Sequence, residues 1–237
     1  MRQGGAILSK VLDQLQEAAK PGVTTKELDQ LACELLSSFQ AESWFPSVDN
    51  FPGAICTSLN NEVVHGAPSD RVLKNGDVLK IDLGVAYQGF NTDGARTMLV
   101  GGASDHEKQK LIDVTSQALV VGIEAARAGN TTGDIGHAIE TYVKEQGFDV
   151  VRDLIGHGIG KNVHEEPEVP NYGKPGSGAM LAPGMTIAIE PMVVQGSWKV
   201  ALGRDHFSYV TKDGGLAAHE EHTVAITDDK AVILTRE

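Results

Sequence analysis

A nine-residue stretch near the start of the chain returns in its middle. Glu17-Ala18-Ala19-Lys20-Pro21-Gly22-Val23-Thr24-Thr25 and Glu124-Ala125-Ala126-Arg127-Ala128-Gly129-Asn130-Thr131-Thr132 align at an offset of 107. Each copy closes a helical pattern, Val11, Leu12, Leu15, Ala18 and Ala19 in the first, Val114, Ala118, Leu119, Ile123 and Ala126 in the second. The glycine is expected to stop that helix and the Thr pair to cap the next. The second helices run through Leu28, Leu31, Ala32 and Leu35, and through Ile135, Ala138, Ile139 and Tyr142. The repeat continues into strands, where Gly76-Asp77-Val78-Leu79-Lys80-Ile81-Asp82 matches Gly184-Met185-Thr186-Ile187-Ala188-Ile189-Glu190 at an offset of 108. Two copies of an α/β unit make a pseudo-two-fold domain, because a solenoid needs three or more. The chain therefore reads as a single domain of two halves, about 1–105 and 106–237, with the Gly/Pro-rich stretch Asn171 to Pro183 as a surface loop.

Charge and composition narrow what such a domain can do. Over 237 residues, 20 Lys+Arg stand against 32 Asp+Glu, a formal charge of −12. That balance argues against DNA as a partner, which calls for a basic footprint. No apolar run approaches the ~18 residues of a membrane span, and Ala6-Ile7-Leu8 is broken at once by Ser9-Lys10, unlike a secretory signal. Cys33 and Cys56 are too few for a disulfide framework, and Cys33 falls in a helical pattern and reads as structural. A reducing cytoplasm fits all of this.

The chemistry-bearing residues sit on the repeated strands. In Ile81-Asp82-Leu83-Gly84-Val85-Ala86 alternation puts the large apolar residues on one face and Asp82 on the other with Gly84 and Ala86. Ile187 and Ile189 repeat the design around Ala188 and Glu190. Asp93 follows Asp82 by eleven residues, and a turn centred between Tyr87 and Gln88 would set the two carboxylates directly opposite, with Cβ atoms ~4.5–5.5 Å apart. Like charges that close repel unless one is protonated or a cation lies between them. A solvated hairpin with two surface aspartates is the alternative for that segment alone, and the counterpart Glu190 weighs against it. Glu221 supplies a fourth acid opposite Val224 and Ile226, whereas Glu220 shares their parity.

Histidines complete the set. His157 in Gly156-His157-Gly158-Ile159-Gly160 has no bulk on either side, so other groups can approach its imidazole. Val64-His65 and Val163-His164 correspond in the two halves. His106, His137, His206 and His219 read as ordinary surface or core histidines, and alternation turns His222 away from Glu221. Four carboxylates and one imidazole suit two divalent ions such as Mn, Fe(II), Co or Zn, the donor set of a metal-dependent hydrolase. Neither a Gly-x-Ser-x-Gly nucleophile motif nor a phosphate-binding loop competes.

Five elements in this order, Asn61-Glu62-Val63-Val64-His65-Gly66, Asp82 with Asp93, Gly156-His157-Gly158-Ile159-Gly160, Ile189-Glu190-Pro191-Met192 and Glu221-His222-Thr223, resemble type I methionine aminopeptidases across essentially the whole chain. The resemblance implies a duplicated pita-bread α/β fold, a curved antiparallel sheet with paired helices on its outer face. It implies Asp82, Asp93, His157, Glu190 and Glu221 as ligands of two metal ions, with Asp93 and Glu221 bridging and Glu190 as proton shuttle. His65 and His164 would contact substrate, and Phe51, Cys56 and Phe207 would wall a pocket for a Met side chain. The implied activity is removal of the N-terminal methionine from peptides and nascent chains, at the ribosome, by a monomer, when the second residue is small. Two alternatives keep the fold: a proline-specific aminopeptidase or dipeptidase, and a non-catalytic binding module.

Overall fold

Residues 1–48, 50–102 and 105–236 are described in a computed structural model. Its helices come in two pairs, α1 (Arg2–Ala18) with α2 (Thr25–Ser38), and α3 (His106–Ala125) with α4 (Thr132–Glu145). Thr24 and Thr131 open the second member of each pair with a capping box. The Thr24 hydroxyl accepts from the Glu27 N–H while the Glu27 carboxylate accepts from the Thr24 N–H at 2.7 Å; Thr131 and Asp134 do the same. Each box satisfies two otherwise orphaned helix donors. Thr24 also bridges to Val72 and Thr131 to Met180, so the matched residues hold matched contacts. The glycines act differently from the expectation. α1 and α3 end before them, and Gly22 (φ +98°) and Gly129 (φ +88°) shape the following turns instead of capping.

The strands are antiparallel and, apart from the ten-residue β4 and β5, short. The first half of the chain carries β1 (Glu42–Ser43), β2 (Cys56–Leu59), β3 (Glu62–Val64), β4 (Val78–Tyr87) and β5 (Phe90–Leu99). Next come β6 (Asp149–Val150), β7 (Gly156–Gly158), β8 (Glu165–Val169), β9 (Thr186–Ile189) and β10 (Met192–Val194). The last are β11 (Val200–Leu202), β12 (Tyr209–Thr211), β13 (Ala217–His219), β14 (His222–Ala225) and β15 (Val232–Ile233). β4 pairs with β5 along one edge and with β1 and β2 along the other, and β9 lies between β7 and β14.

One face of each sheet is apolar and is covered by a helix pair. Leu79, Ile81, Leu83 and Val85 pack against Leu8, Leu12, Leu15, Leu28 and Leu36, and Ile187, Ile189 and Val224 pack against Leu111, Leu119, Ile135 and Ile139. Each such fully buried Leu or Ile contributes about 1.5–3 kcal/mol. This is the expected architecture, antiparallel sheets backed by paired helices. Cys33, in contrast, lies on the exposed side of α2 and is not part of its packed face. No helix among the described residues is long and apolar enough to cross a membrane.

The β4–β5 hairpin corrects the expected register. Asp82 faces Ala95 and Asp93 faces Gly84, with Tyr87 opposite Phe90. The loop is therefore Gln88-Gly89, both at positive φ (+51° and +80°), the requirement of a type I′ turn. Asp82 and Asp93 share a face diagonally instead of directly.

The far edge of β5 is taken up by the second half of the chain. The outward N–H groups of Asn91, Asp93, Ala95 and Thr97 donate to Gly160 O, Thr223 Oγ1, Glu221 O and a Glu220 carboxylate oxygen. Glu221 N–H returns a bond to Ala95 O at 3.0 Å, and Thr97 Oγ1 donates to His219 O at 2.6 Å. Lys80, fully buried, adds a further tie, its Nζ donating to Asn60 O, Val78 O and Ala217 O.

Candidate metal centre

The faces turned away from the helices meet at this seam. Asp82 projects from the middle of β4, where Cys56 and Ala95 flank it on the neighbouring strands. Asp93 comes from β5, its backbone fixed twice by Thr223, and Gly94 N–H donates to its Oδ1 at 3.0 Å. Glu190 follows β9, with its carbonyl held by Asn171 Nδ2 at 2.9 Å, and Glu221 enters beside Ala95 just before β14. His157 sits at the centre of β7. The glycines around it have another use than the one expected. A Cβ on Gly156 would stand 2.4 Å from Ala188 O, and one on Gly158 would stand 2.1 Å from Glu166 O. They admit neighbouring backbone, and so bring β7 close to β8 and β9.

His157 Nδ1 lies 2.8 Å from Gly158 O, a carbonyl that can only accept, so Nδ1 carries the proton. The Nε2 lone pair then faces the acids, 3.9 Å from Asp93 Oδ2 and 3.8 Å from Glu190 Oε1. One ligand atom each of Asp93, His157 and Glu221 lies within 4.8 Å of the other two. Buried Asp82 Oδ1 and Glu221 Oε1 have no hydrogen-bond partner. Acceptors crowded against acceptors, two of them orphaned in the interior, lack one thing, a cation.

The titration behaviour has the same cause. Burial first, then the neighbouring acids, drives the Asp93 and Glu221 carboxyls well above the usual range. Burial raises Asp82 and Glu190 to about 7 and holds the His157 imidazole below its ordinary value. Without a positive ion four such carboxylates cannot all ionise together. The set of oxygen donors and one imidazole fits hard-to-borderline divalent metals.

A cavity of about 920 Å³ opens over this cluster. Its apolar side is aromatic. Phe51 and Phe207 stand edge to face at 5.5 Å, Phe45 lies 5.6 Å from Phe51, and Trp44 lies 4.3 Å from Phe45. Trp44 reaches this position only because residue 84 is glycine; a Cβ there would fall 1.9 Å from the indole Cε2. Cys56 belongs to the same apolar cluster but is buried in it, off the cavity surface, and burial with the nearby acids raises its thiol pKa. His164 stacks edge-on to His157 at 4.5 Å, and His65, at φ +58°, turns its ring toward Tyr209 at 5.9 Å. Both line the cavity.

Four histidines read as ordinary from sequence; two of them do not stay so. His206, at φ +65°, lines the cavity mouth, and His219 is buried with Nε2 3.5 Å from Glu190 Oε2. Residue 219 has the parity of Glu221, the one sequence signal that could have placed it here; nothing periodic marks 206. Trp44 and Phe45 are further wall residues absent from the expectation. His222 turns away as expected, its Nδ1 2.8 Å from Thr235 Oγ1.

Fold and cluster together define a class, metal-dependent hydrolases whose carboxylate-rich centre lies between two helix-backed sheets. The sequence profile of metallopeptidase family M24 matches residues 1–228, and the chain belongs to that family. It is 49% identical over 236 residues to the methionine aminopeptidase of Clostridium acetobutylicum, covering 99% of this chain and 94% of that protein. With methionine aminopeptidase 1 of Bacillus subtilis the identity is 45%, over 100% and 95% of the two chains. The crystal structure of methionine aminopeptidase from Rickettsia prowazekii superposes with a TM-score of 0.97 at 39% identity, covering 99% of this chain and 95% of that one. The prolidase of Pyrococcus furiosus shares the fold at a TM-score of 0.78 and 23% identity, and this chain spans 63% of its length.

Proposed function

We propose that this chain is an aminopeptidase that removes the N-terminal methionine from peptides and nascent chains when the second residue is small. The observation that carries the reading is the aromatic wall of Trp44, Phe45, Phe51 and Phe207 set directly beside the carboxylate–imidazole cluster. The near-full-length relatives named methionine aminopeptidase support it. Asp82, Asp93, His157, Glu190 and Glu221 would hold two divalent ions, of Mn, Fe(II), Co or Zn. The domain is one catalytic unit of two pseudo-symmetric halves, about 1–105 and 106–237. It works as a cytoplasmic monomer, with nascent chains met at the ribosome; its two cysteines, both free, suit a reducing compartment.

Bound metal supplies two things, water of lowered pKa and polarisation of the scissile carbonyl. The remaining work belongs to side chains. The Glu190 carboxylate takes the proton of the attacking water and delivers it to the leaving amide nitrogen. His164 donates to the carbonyl oxygen as charge develops there, a role worth about 2–4 kcal/mol for a single such donor. His65, beside Tyr209 in the cavity lining, orients the peptide after the scissile bond. The methionine side chain enters between Phe51, Phe207 and Trp44, where sulfur gains about 0.3–1.5 kcal/mol from aromatic edges. Charged first residues are excluded, because an unpaired charge in that wall costs several kcal/mol.

The test is kcat/KM on Met-Ala-Ser, Leu-Ala-Ser and Ala-Pro-Ala peptides with Mn, Fe(II) or Co. Met-Ala-Ser should lead, and Leu-Ala-Ser should trail by the ~1–3 kcal/mol that apolar shape discrimination yields. Preference for Ala-Pro-Ala would move the chain to the proline-specific branch, and absence of turnover with any metal would leave a binding module.

A further inference from the structure

The two oxygens of Glu190 meet two different imidazoles. Oε1 faces His157 Nε2 at 3.8 Å, and Oε2 faces His219 Nε2 at 3.5 Å. The two contacts differ in kind. His157 spends its proton on Gly158 O, so its Nε2 and Glu190 Oε1 are both acceptors and only a cation between them reconciles the pair. His219 is under no such constraint, since neither of its ring nitrogens makes a hydrogen bond and the ring is buried. Its backbone, however, is fixed. His219 N–H donates to Thr97 Oγ1 at 2.9 Å, and that hydroxyl donates back to His219 O at 2.6 Å. The ring is therefore held against the outer oxygen of Glu190 by the strand β5 that carries Asp93.

We propose that His219 is a positioning residue for Glu190. In the metal-loaded protein the 3.5 Å contact would close to a hydrogen bond, Nε2–H donating to Oε2 and holding the carboxylate with Oε1 turned toward His157. Carboxylate ligands depend on such outer partners, and losing one typically costs 10–100-fold in metal affinity or activity. The inference rests on the metal-centre reading above and goes beyond it, because it adds a residue that touches neither substrate nor ion.

Titration of the purified chain with Mn by calorimetry separates the two. If the native chain binds no Mn, the metal-centre reading fails. If it binds, His219→Leu should raise the dissociation constant about 10–100-fold. The same variant should lower kcat on Met-Ala-Ser with KM nearly unchanged, since the substrate pocket is untouched. His219→Gln, which keeps an N–H donor of similar reach, should restore both to within a few-fold of native. Mn affinity of the Leu variant within threefold of native, or a folded Gln variant no better than Leu, would overturn the proposal. Should the Leu variant not fold, the native chain still answers. In the Zn-loaded protein, nitrogen NMR of labelled histidine should show His219 protonated on Nε2, and protonation on Nδ1 alone would refute the assignment.

Discussion

Gly84 is where the aromatic wall of the cavity and the strand that carries Asp82 depend on each other most directly. It lies two residues beyond Asp82, opposite Asp93, and the Trp44 indole packs against its backbone. A Cβ at 84 would stand 1.9, 2.1 and 2.3 Å from Trp44 Cε2, Nε1 and Cζ2. β4 is paired with β5 at residue 84 and is pinned on its other edge by β2 up to Asp82 and by β1 from Val85, so Gly84→Ala has to displace the indole. Trp44 is 7% exposed, packs on Phe45 and stands 6.2 Å from His164. Losing a buried Trp side chain costs about 3–5 kcal/mol. Replacing a strand glycine by alanine returns about 0.5–1 kcal/mol of chain entropy, leaving a net loss of about 2–4 kcal/mol. Trp44→Ala alone should cost about 3–5 kcal/mol. With the indole gone the new methyl has room, so the double variant should be no worse than Trp44→Ala. That is a coupling energy of about 2–4 kcal/mol, far outside the ~0.3–0.5 kcal/mol scatter of independent sites. Urea unfolding of the four proteins, followed by far-ultraviolet circular dichroism, measures it. Additive single effects would refute the packing argument.

The other expectations concern the metal and the histidines. In metal-free protein the buried acids hold protons that the unfolded chain releases near pH 4, because burial raises Asp82 and Glu190 to about 7 and Asp93 and Glu221 well above their ordinary values. Their contribution to stability in chelator is thus fullest below pH 4 and is lost as pH rises from there through 7, against the smaller opposite drift of buried His219 and His222, lowered to about 4. Saturating Mn should lift the melting temperature most at the neutral end, and a melting temperature rising with pH in chelator would contradict the argument. His157→Ala should lose metal affinity and most turnover with an unchanged circular dichroism spectrum; retained metal would remove it from the ligand set. His164→Ala should lower kcat about 10²–10³-fold with metal content intact, and loss of metal stoichiometry would contradict its assignment to substrate.

Much of this architecture was legible because burial on one face writes a period into the sequence. Ile81, Leu83 and Val85 had to alternate with Asp82 and Gly84 for a helix pair to cover one side, and the structure keeps that division. The register of the hairpin was less accessible. Counting from the two aspartates ignored the turn chemistry, in which Gly89 takes the second left-handed position and so moves the centre of the loop. The five clustered groups carried motifs, whereas His219 carried none. Its place depends on Thr97 and Glu190, contacts across 122 and 29 residues that no local pattern encodes. Trp44 was hidden for a similar reason, since its site exists only through the missing side chain at 84.

The seam along β5 has a consequence for solubility. A strand whose outward N–H groups at 91, 93, 95 and 97 found no acceptors would be a template for pairing with other chains. In the intact chain each is occupied, two of them by side chains, Thr223 and Glu220, that no neighbouring copy would present in register. The residues that seat Asp93 and Glu221 thus also keep the molecule from recruiting its own kind. A fragment ending near residue 105 would keep both helices of the first pair and still bare that edge, and self-association is its expected fate.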